Sequence, residues 1–346
     1  MLDTKYAFIS AYLKGGEAKA MTADHVNMMA KTSSIREALA SIADTDIGDY
    51  LEEVPIKTFD DLDEYLWRYL AEYIAHIEAF KFLPGDILKV LRAYTVRYDV
   101  SNIKAALNGI LTGKKANMIP LGVIYNYGLL DELSSAENIG GIMELLIKCK
   151  LGDYASVLKE YKIDEGVKSR LLAEAKLDGE YYNNLLKMTR GVKDGFVLAK
   201  AFGLIIDLTN LQIASRAIIE DIGSEAAECI ITGGYMLSAE VIRELLPLKL
   251  TDVPSKLGNT LYRDVAEEVS SSYNRTQSIT SVAEIIDKYK FSLVKEILSP
   301  RVLSPLVIAW HLILKELEIR NLRLILKAMF DNIPLEEIRQ YLVLSS

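Results

Sequence analysis

Apolar residues along this chain of 346 residues recur mainly at three- and four-residue spacing, the period of a helix with one buried face. Between residues 86 and 109 they fall at Ile87, Val90, Leu91, Tyr94, Tyr98, Ile103 and Leu107. Pro84-Gly85-Asp86 predicts the start of that helix, with Asp86 as its N-cap, and Gly109 predicts its stop. A second long pattern runs from about Gly195 to Ile219, behind Asp194. A third runs from Pro305 to about Phe330, with Ser304 as N-cap and Pro305 at the first helical position. No series of alternating strand patterns occurs. The β-branched pairs Ile205-Ile206 and Ile230-Ile231 are short and lie in or beside helical stretches. The predicted fold class is all-α.

The three long helices share a core. It reads Asp99-Val100-Ser101-Asn102-Ile103-Lys104, then Asp207-Leu208-Thr209-Asn210-Leu211-Gln212, then Glu318-Ile319-Arg320-Asn321-Leu322-Arg323. The order is acid, aliphatic, any residue, Asn, aliphatic, long polar, and the acids stand 108 and 111 residues apart. Shorter matches follow a similar period. Gly48-Asp49-Tyr50 returns as Gly152-Asp153-Tyr154, Ser135-Ala136-Glu137 as Ser238-Ala239-Glu240, and Ile35-Arg36-Glu37 about two periods on as Ile242-Arg243-Glu244. The Ser-led segments read as helix N-termini, where a Ser oxygen accepts from free backbone N–H groups. Internal repetition at this period predicts three helical units, 1–115, 116–230 and 231–346. Each unit has several short helices followed by one motif helix.

Asp99 and Asn102 are three apart and share a helix face, as do Asp207 with Asn210 and Glu318 with Asn321. Asp and Asn are mediocre helix formers, so their return at one mid-helix place implies a local task. The expected task is hydrogen bonding to a neighbouring element, with all partners complete, because a half-satisfied buried polar pair is costly.

Charge and composition narrow the function. Basic and acidic residues number 14 and 17 in the first third, 12 and 17 in the second, and 14 and 14 in the last, so no third is a charged tail. The net charge of −8 argues against nucleic acid as a partner. Cys149 and Cys229 are the two cysteines and form no C-x-x-C pair, which argues against a disulfide scaffold or a structural zinc and fits a reducing compartment. The first residues, Met1 to Lys14, mix polar and apolar types and do not read as a secretory leader. The longest strongly apolar run, Pro305 to Leu314, contains His311 and is shorter than the roughly 20 residues of a membrane span. No Walker-type glycine-rich phosphate loop occurs.

On the repeated core, the length and the helical composition, the chain resembles the central-stalk C subunits of A/V-type rotary ATPases, counterparts of the d subunit of the vacuolar ATPase. The resemblance covers essentially the whole chain. It implies a funnel of three similar helical domains related by pseudo-three-fold symmetry. It implies two partners, the subunits of the membrane proteolipid ring and those of the central rotor shaft. The protein would lie on the cytoplasmic side of the membrane, peripheral to it through the ring. It would pass torque for ion-coupled ATP synthesis or hydrolysis, with no active site and no cofactor of its own.

One enzyme reading competes. Phe59-Asp60-Asp61-Leu62-Asp63-Glu64 resembles the aspartate-rich metal motif of terpenoid synthases, and Asp221, Ser224 and Glu228 have the spacing of their second Mg²⁺ motif. Yet the first run stands just before the apolar pattern Leu66, Leu70, Ile74, where acids favour a helix N-terminus. Neither motif follows the repeat. A helical scaffold of another complex is the remaining alternative, although common helical repeats are about 33–47 residues long. His25, His76 and His311 are too far apart in sequence to suggest a metal site, and His311 reads as a packed, hydrogen-bonded core residue. Trp67 and Trp310 read as core or interface anchors. The stretch 44–64, with nine acids against Lys57, reads as a solvated surface.

Overall fold

A computed structural model of the chain describes residues 4–52, 54–159, 161 and 166–344. Helices and turns make up these residues, with no strand among them. In chain order the first group is α1 (Ala7–Glu17), α2 (Ala23–Met29), α3 (Ile35–Ala40), α4 (Asp46–Glu52), α5 (Phe59–Glu78) and α6 (Gly85–Thr112). Then come α7 (Val123–Asn126), α8 (Leu130–Ser134), α9 (Ile139–Lys148), α10 (Gly152–Leu158), α11 (Gly166–Thr189) and α12 (Gly195–Glu220). The last group is α13 (Gly223–Ala226), α14 (Ala239–Leu245), α15 (Val253–Lys256), α16 (Arg263–Thr276), α17 (Ile279–Leu298), α18 (Leu306–Phe330) and α19 (Leu335–Ile338). The motif residues therefore stand in α6, α12 and α18.

The stripe predicted for α6 is buried at every one of its seven positions. Its ends differ from the sequence reading. Asp86 lies inside the first turn and accepts the Tyr6 hydroxyl at 2.9 Å instead of capping the helix. Gly109 does not stop the helix, which runs on to Thr112, where Gly113 at φ +66° turns the chain away. Ser304 stands one residue further from α18 than expected, but its Oγ still accepts from the Leu306 N–H at 3.4 Å. Of the two Ser-led segments, Ser238 caps α14 by accepting from Val241 N–H, whereas Ser135 lies at the C-terminal end of α8. The cap of α9 is Asn138, which accepts from Gly141 N–H at 3.0 Å. Ser34, Asn138 and Ser238 thus hold the same place before α3, α9 and α14.

Contacts divide the chain into two compact units. The first comprises residues 1–91 and 301–346. In it α18 packs on α1, α3 and α5. Its core includes Leu13, Met29, Leu62, Leu66, Leu70, Ile308 and Leu322, all buried. Residues near the two ends of the chain therefore build one core. The acidic run lies in the first turns of α5 and is taken up by capping bonds and ion pairs. The Thr58 side chain accepts from Asp61 N–H, and the Asp61 carboxylate accepts from the N–H groups of Thr58 and Lys57, which hold it below the usual carboxylate range. Asp63 pairs with Arg323, and Glu64 with Arg68.

The second unit, residues 92–300, contains α7 to α17. Here α12 packs against α11, α14 and α17, and α16 packs on α17. Leu204, Leu208 and Leu211 of α12 meet Ile242, Leu245, Val265, Val269, Val282 and Ile286 in one apolar cluster. This cluster accounts for a strongly apolar helix other than the run at 305–314. Among the described helices, α12 is the one long and apolar enough to cross a membrane, with a mean hydropathy of 1.5 over its best window. That window is 61% buried inside the fold, as in a core helix.

The matching tripeptides at Gly48 and Gly152 are not equivalent in space. A Cβ on Gly48 would lie 1.9 Å from the Ile42 carbonyl oxygen, whereas one on Gly152 would meet nothing within 4 Å. Gly48→Ala is therefore expected to destabilise the chain by about 2 kcal/mol or more through forced backbone movement. Gly152→Ala is expected to be neutral, or stabilising by up to about 1 kcal/mol. Chemical denaturation of the two variants checks this; equal effects would refute the difference.

Candidate functional site

Each repeated asparagine makes the same two bonds. Asn102 Nδ2 donates to the Ile119 carbonyl at 2.9 Å, and its Oδ1 accepts the Ile119 N–H at 2.7 Å. Asn210 does this with Ile231, at 2.7 and 2.8 Å. Asn321 does it with Val343, at 2.7 and 3.2 Å. The partners lie 17, 21 and 22 residues further along the chain. A carboxamide carries a donor and an acceptor side by side, so it can satisfy both polar groups of one residue outside regular structure. Asp or Leu at this place would leave at least one of those groups unpaired. All three asparagines are buried.

The first two of the acids three residues earlier hold the next stretch of backbone, and the third holds a residue from an earlier part of the chain. Asp99 accepts the N–H groups of Val123 and Ile124, both at 2.8 Å, at the start of α7. Asp207 accepts those of Tyr235, Met236 and Leu237 at 3.1, 2.7 and 3.3 Å, and the Tyr262 hydroxyl at 2.5 Å. Glu318 accepts the N–H of Met21 at 2.7 Å, a residue from the other end of the chain but of the same compact unit. Its second oxygen takes Lys315 Nζ at 3.0 Å. Burial pushes the Asp99 carboxyl up to about 7, against the two N–H bonds that pull it down. Burial raises Asp207 as well, against the bonds from Tyr262 and the three amides.

The long polar residue at the end of each core reaches to another helix. Lys104 bonds Asp178 of α11 at 2.5 Å, Gln212 accepts from Lys290 of α17 at 3.3 Å, and Arg323 pairs with Asp63 of α5. The partner exchanges charge type between copies, but the link persists. Burial lowers the Lys290 pKa, and Asp287 at 3.5 Å opposes this.

The motif residues thus each act on their own stretch of chain. Their less obvious partners include two glycines. A Cβ on Gly122 would come within 2.6 Å of all three Asp99 carboxylate atoms, and one on Gly234 would lie 1.9 Å from Asp207 Oδ1. Both glycines follow their Asn by about a fifth of the repeat, a regularity that the sequence carries. Tyr262 and Met21 have no such signal.

Other candidates have local explanations. In the first unit Lys315 is buried and bonds Tyr69 at 3.0 Å and Glu318, with Asp46 at 3.9 Å. His311 is buried, as expected, and stacks on Tyr73 with ring centroids 5.4 Å apart. It is not hydrogen-bonded as the sequence reading expects, since neither ring nitrogen has a protein partner. Burial, with the positive charges of Lys315 and Lys14, pushes its pKa down to about 3 and keeps the imidazole neutral. In the second unit an open groove of about 520 Å³ is lined by Asp153, Lys176, Glu180, Asn183 and Cys229. Burial raises the Cys229 thiol pKa, which makes it a poor nucleophile. Cys149 is buried and Cys229 half-buried. No group of three His, Cys, Asp or Glu residues among the described ones is arranged to hold a metal.

Helices, a polar core that returns on three of them, and side chains that fasten backbone define an all-α chain held together by buried polar clamps. It belongs to the ATP synthase (C/AC39) subunit family, whose sequence profile matches residues 9–341. Three similar relatives are each described as the C subunit of an A-type ATP synthase. The one from Methanocaldococcus jannaschii is 27% identical over 98% of this chain and 86% of its own length. The one from Pyrococcus abyssi is 25% identical over 97% and 90%, and that from Methanococcoides burtonii 26% over 99% and 95%.

The clamps can be tested one residue at a time. Asn210→Ala leaves the buried N–H and C=O of Ile231 unpaired and is expected to cost roughly 2–5 kcal/mol. Asn210→Asp, which keeps an acceptor but loses the donor, should rescue little. Urea denaturation measures both, and a near-neutral Asn210→Ala would show that the clamp does not hold the segment. A second prediction concerns pH. The folded-state pKa of Asp99 lies above its unfolded value of about 3.9, so between about pH 4 and 7 the folded chain keeps a proton that the unfolded chain releases. Its contribution to stability is largest below that window and falls as pH rises through it. Asp99→Asn should flatten the melting temperature across pH 4–7 relative to the parent protein; an unchanged slope would contradict the raised pKa.

Proposed function

We propose that this chain is the central-stalk subunit of an A/V-type rotary ATPase. It would link the rotor shaft to the membrane proteolipid ring and transmit torque between them, without an active site or cofactor of its own. The observation that carries this reading is the thrice-repeated fastening of a long helix to backbone about twenty residues further along, on a chain that belongs to a family of ATP synthase subunits. A part that transmits torque needs elements that do not slide. Paired amide clamps, acid clamps and helix-to-helix polar links supply that stiffness more directionally than apolar packing alone.

On the same reading, residues 1–115, 116–230 and 231–346 are three copies of one ancestral unit, with Asp99, Asn102, Asp207, Asn210, Glu318 and Asn321 as its signature. The expected shape is a pseudo-three-fold funnel that rests on the ring at one side and receives the shaft at the other. Its place is the cytoplasmic face, peripheral to the membrane through the ring. The relatives described as C subunits of A-type ATP synthases support an assembly of that kind.

Affinity purification of the tagged chain from native membranes tests the proposal. Proteolipid and shaft subunits are expected to co-purify in constant ratio. Recovery without either would overturn the central-stalk role.

A further inference from the structure

The first compact unit carries an exposed aromatic knob with exposed cations beside it in sequence. Phe82, in the loop between α5 and α6, is 92% exposed, and Phe8 on α1 is 66% exposed. Phe80 ties this surface together. Its ring lies 5.5 Å from Phe8, 4.9 Å from Tyr12 and 5.2 Å from His76, all near edge-on. Phe82 follows two residues later. The Ser10 hydroxyl of α1 donates to the Val302 carbonyl, which brings Val302, 39% exposed, to the same helix.

Cations neighbour these apolar groups in sequence. Lys81 precedes Phe82 and Arg301 precedes Val302, both exposed; Lys5, also exposed, stands three residues before Phe8 and pairs with Asp86. The acids flanking the α5–α6 loop are Glu78 and Asp86, and Asp86 is engaged by Lys5 at 3.8 Å and by Tyr6. A basic border on a chain of net charge −8 is a local departure from the general charge. The second unit has one comparable exposed ring: Phe196, 79% exposed in the first turn of α12, with Lys193 and Asp194 before it and Lys200 after it.

We propose that this aromatic knob docks on the surface of an anionic lipid bilayer. A phenyl ring that is nine-tenths exposed projects from the protein and fits a soft layer that closes around it, whereas a partner helix would need a groove. Aromatic rings settle at the headgroup boundary, and each flanking Lys or Arg adds attraction to anionic lipid. The charge of the border selects anionic over zwitterionic lipid, and the projecting Phe82 and Phe8 supply the apolar contact.

The test is flotation of the full chain with protein-free vesicles, made of phosphatidylcholine alone or with about 30 mol% phosphatidylglycerol. The chain should float with the anionic vesicles, not with the neutral ones, and about 0.5 M salt should release it. Phe8→Ser with Phe82→Ser should weaken binding about tenfold or more. Lys81→Glu should weaken it about fivefold at low salt. Circular dichroism melting confirms that each variant folds, and these exposed sites should leave it unchanged. No flotation with anionic vesicles, or flotation unaffected by the double Phe substitution, overturns the proposal. Retained flotation with lost co-purification of ATPase subunits also overturns it, and identifies the knob as a protein contact. The vesicles contain no ring or shaft, so the flotation outcomes are independent of whether the rotary role holds.

Discussion

Backbone that is buried without regular structure must find hydrogen-bond partners, and that requirement organises this protein. Between its helices the chain passes through non-helical residues such as Ile119, Ile231 and Val343, whose polar groups face the motif helices. Water does not reach such groups freely, and an unpaired amide or carbonyl there costs about 1–3 kcal/mol. The motif helices supply the partners from their own sides. An asparagine answers one residue completely, and an aspartate three positions away answers two or three successive amides. In α6 and α12 the two side chains on one helix face fix two points of the segment that follows, and so set both its position and its direction.

This explains why an acid is retained where burial works against its charge. Asp99 and Asp207 are pushed toward their neutral forms by desolvation, yet a carboxylate offers enough lone pairs for a fan of converging N–H groups. Asp207 uses this capacity most fully, with three amides and a tyrosine hydroxyl. The glycines at 122 and 234 are the geometric counterpart, since a methyl group there would occupy the space of the carboxylate. The helix-spanning link of Lys104, Gln212 or Arg323 adds a third point on each motif helix. Its chemistry changes from ion pair to amide contact between copies, so geometry is kept while charge is free to vary.

Much of this is legible in the sequence because it depends on period. The all-helical class, the buried stripe of α6 and the three polar cores follow from spacing alone. What spacing does not supply is a partner distant in sequence. Tyr262 carries no mark of its bond to Asp207, and Met21 none of its bond to Glu318, since each depends on the path of the chain. Helix ends depart from expectation where local residues have other tasks. Asp86 serves Tyr6 instead of capping α6, and Ser135 ends one helix while Asn138 begins the next. The tripeptides at Gly48 and Gly152 read as one repeat element. Only the close carbonyl of Ile42 separates a required glycine from an incidental one.

The sharing of one core by residues 1–91 and 301–346 has a consequence for how the molecule is made. During synthesis the first ninety residues emerge with their apolar faces lacking α18. The stretch 92–300 forms a compact unit of its own and can fold while translation continues. Residues 1–91 must wait until α18 has left the ribosome. Closing a loop of roughly two hundred residues is a slow entropic step, and exposed apolar surface during that interval invites aggregation. The bond from Met21 to Glu318 is therefore among the last to form, and the protein's need for chaperones should centre on its beginning rather than its end.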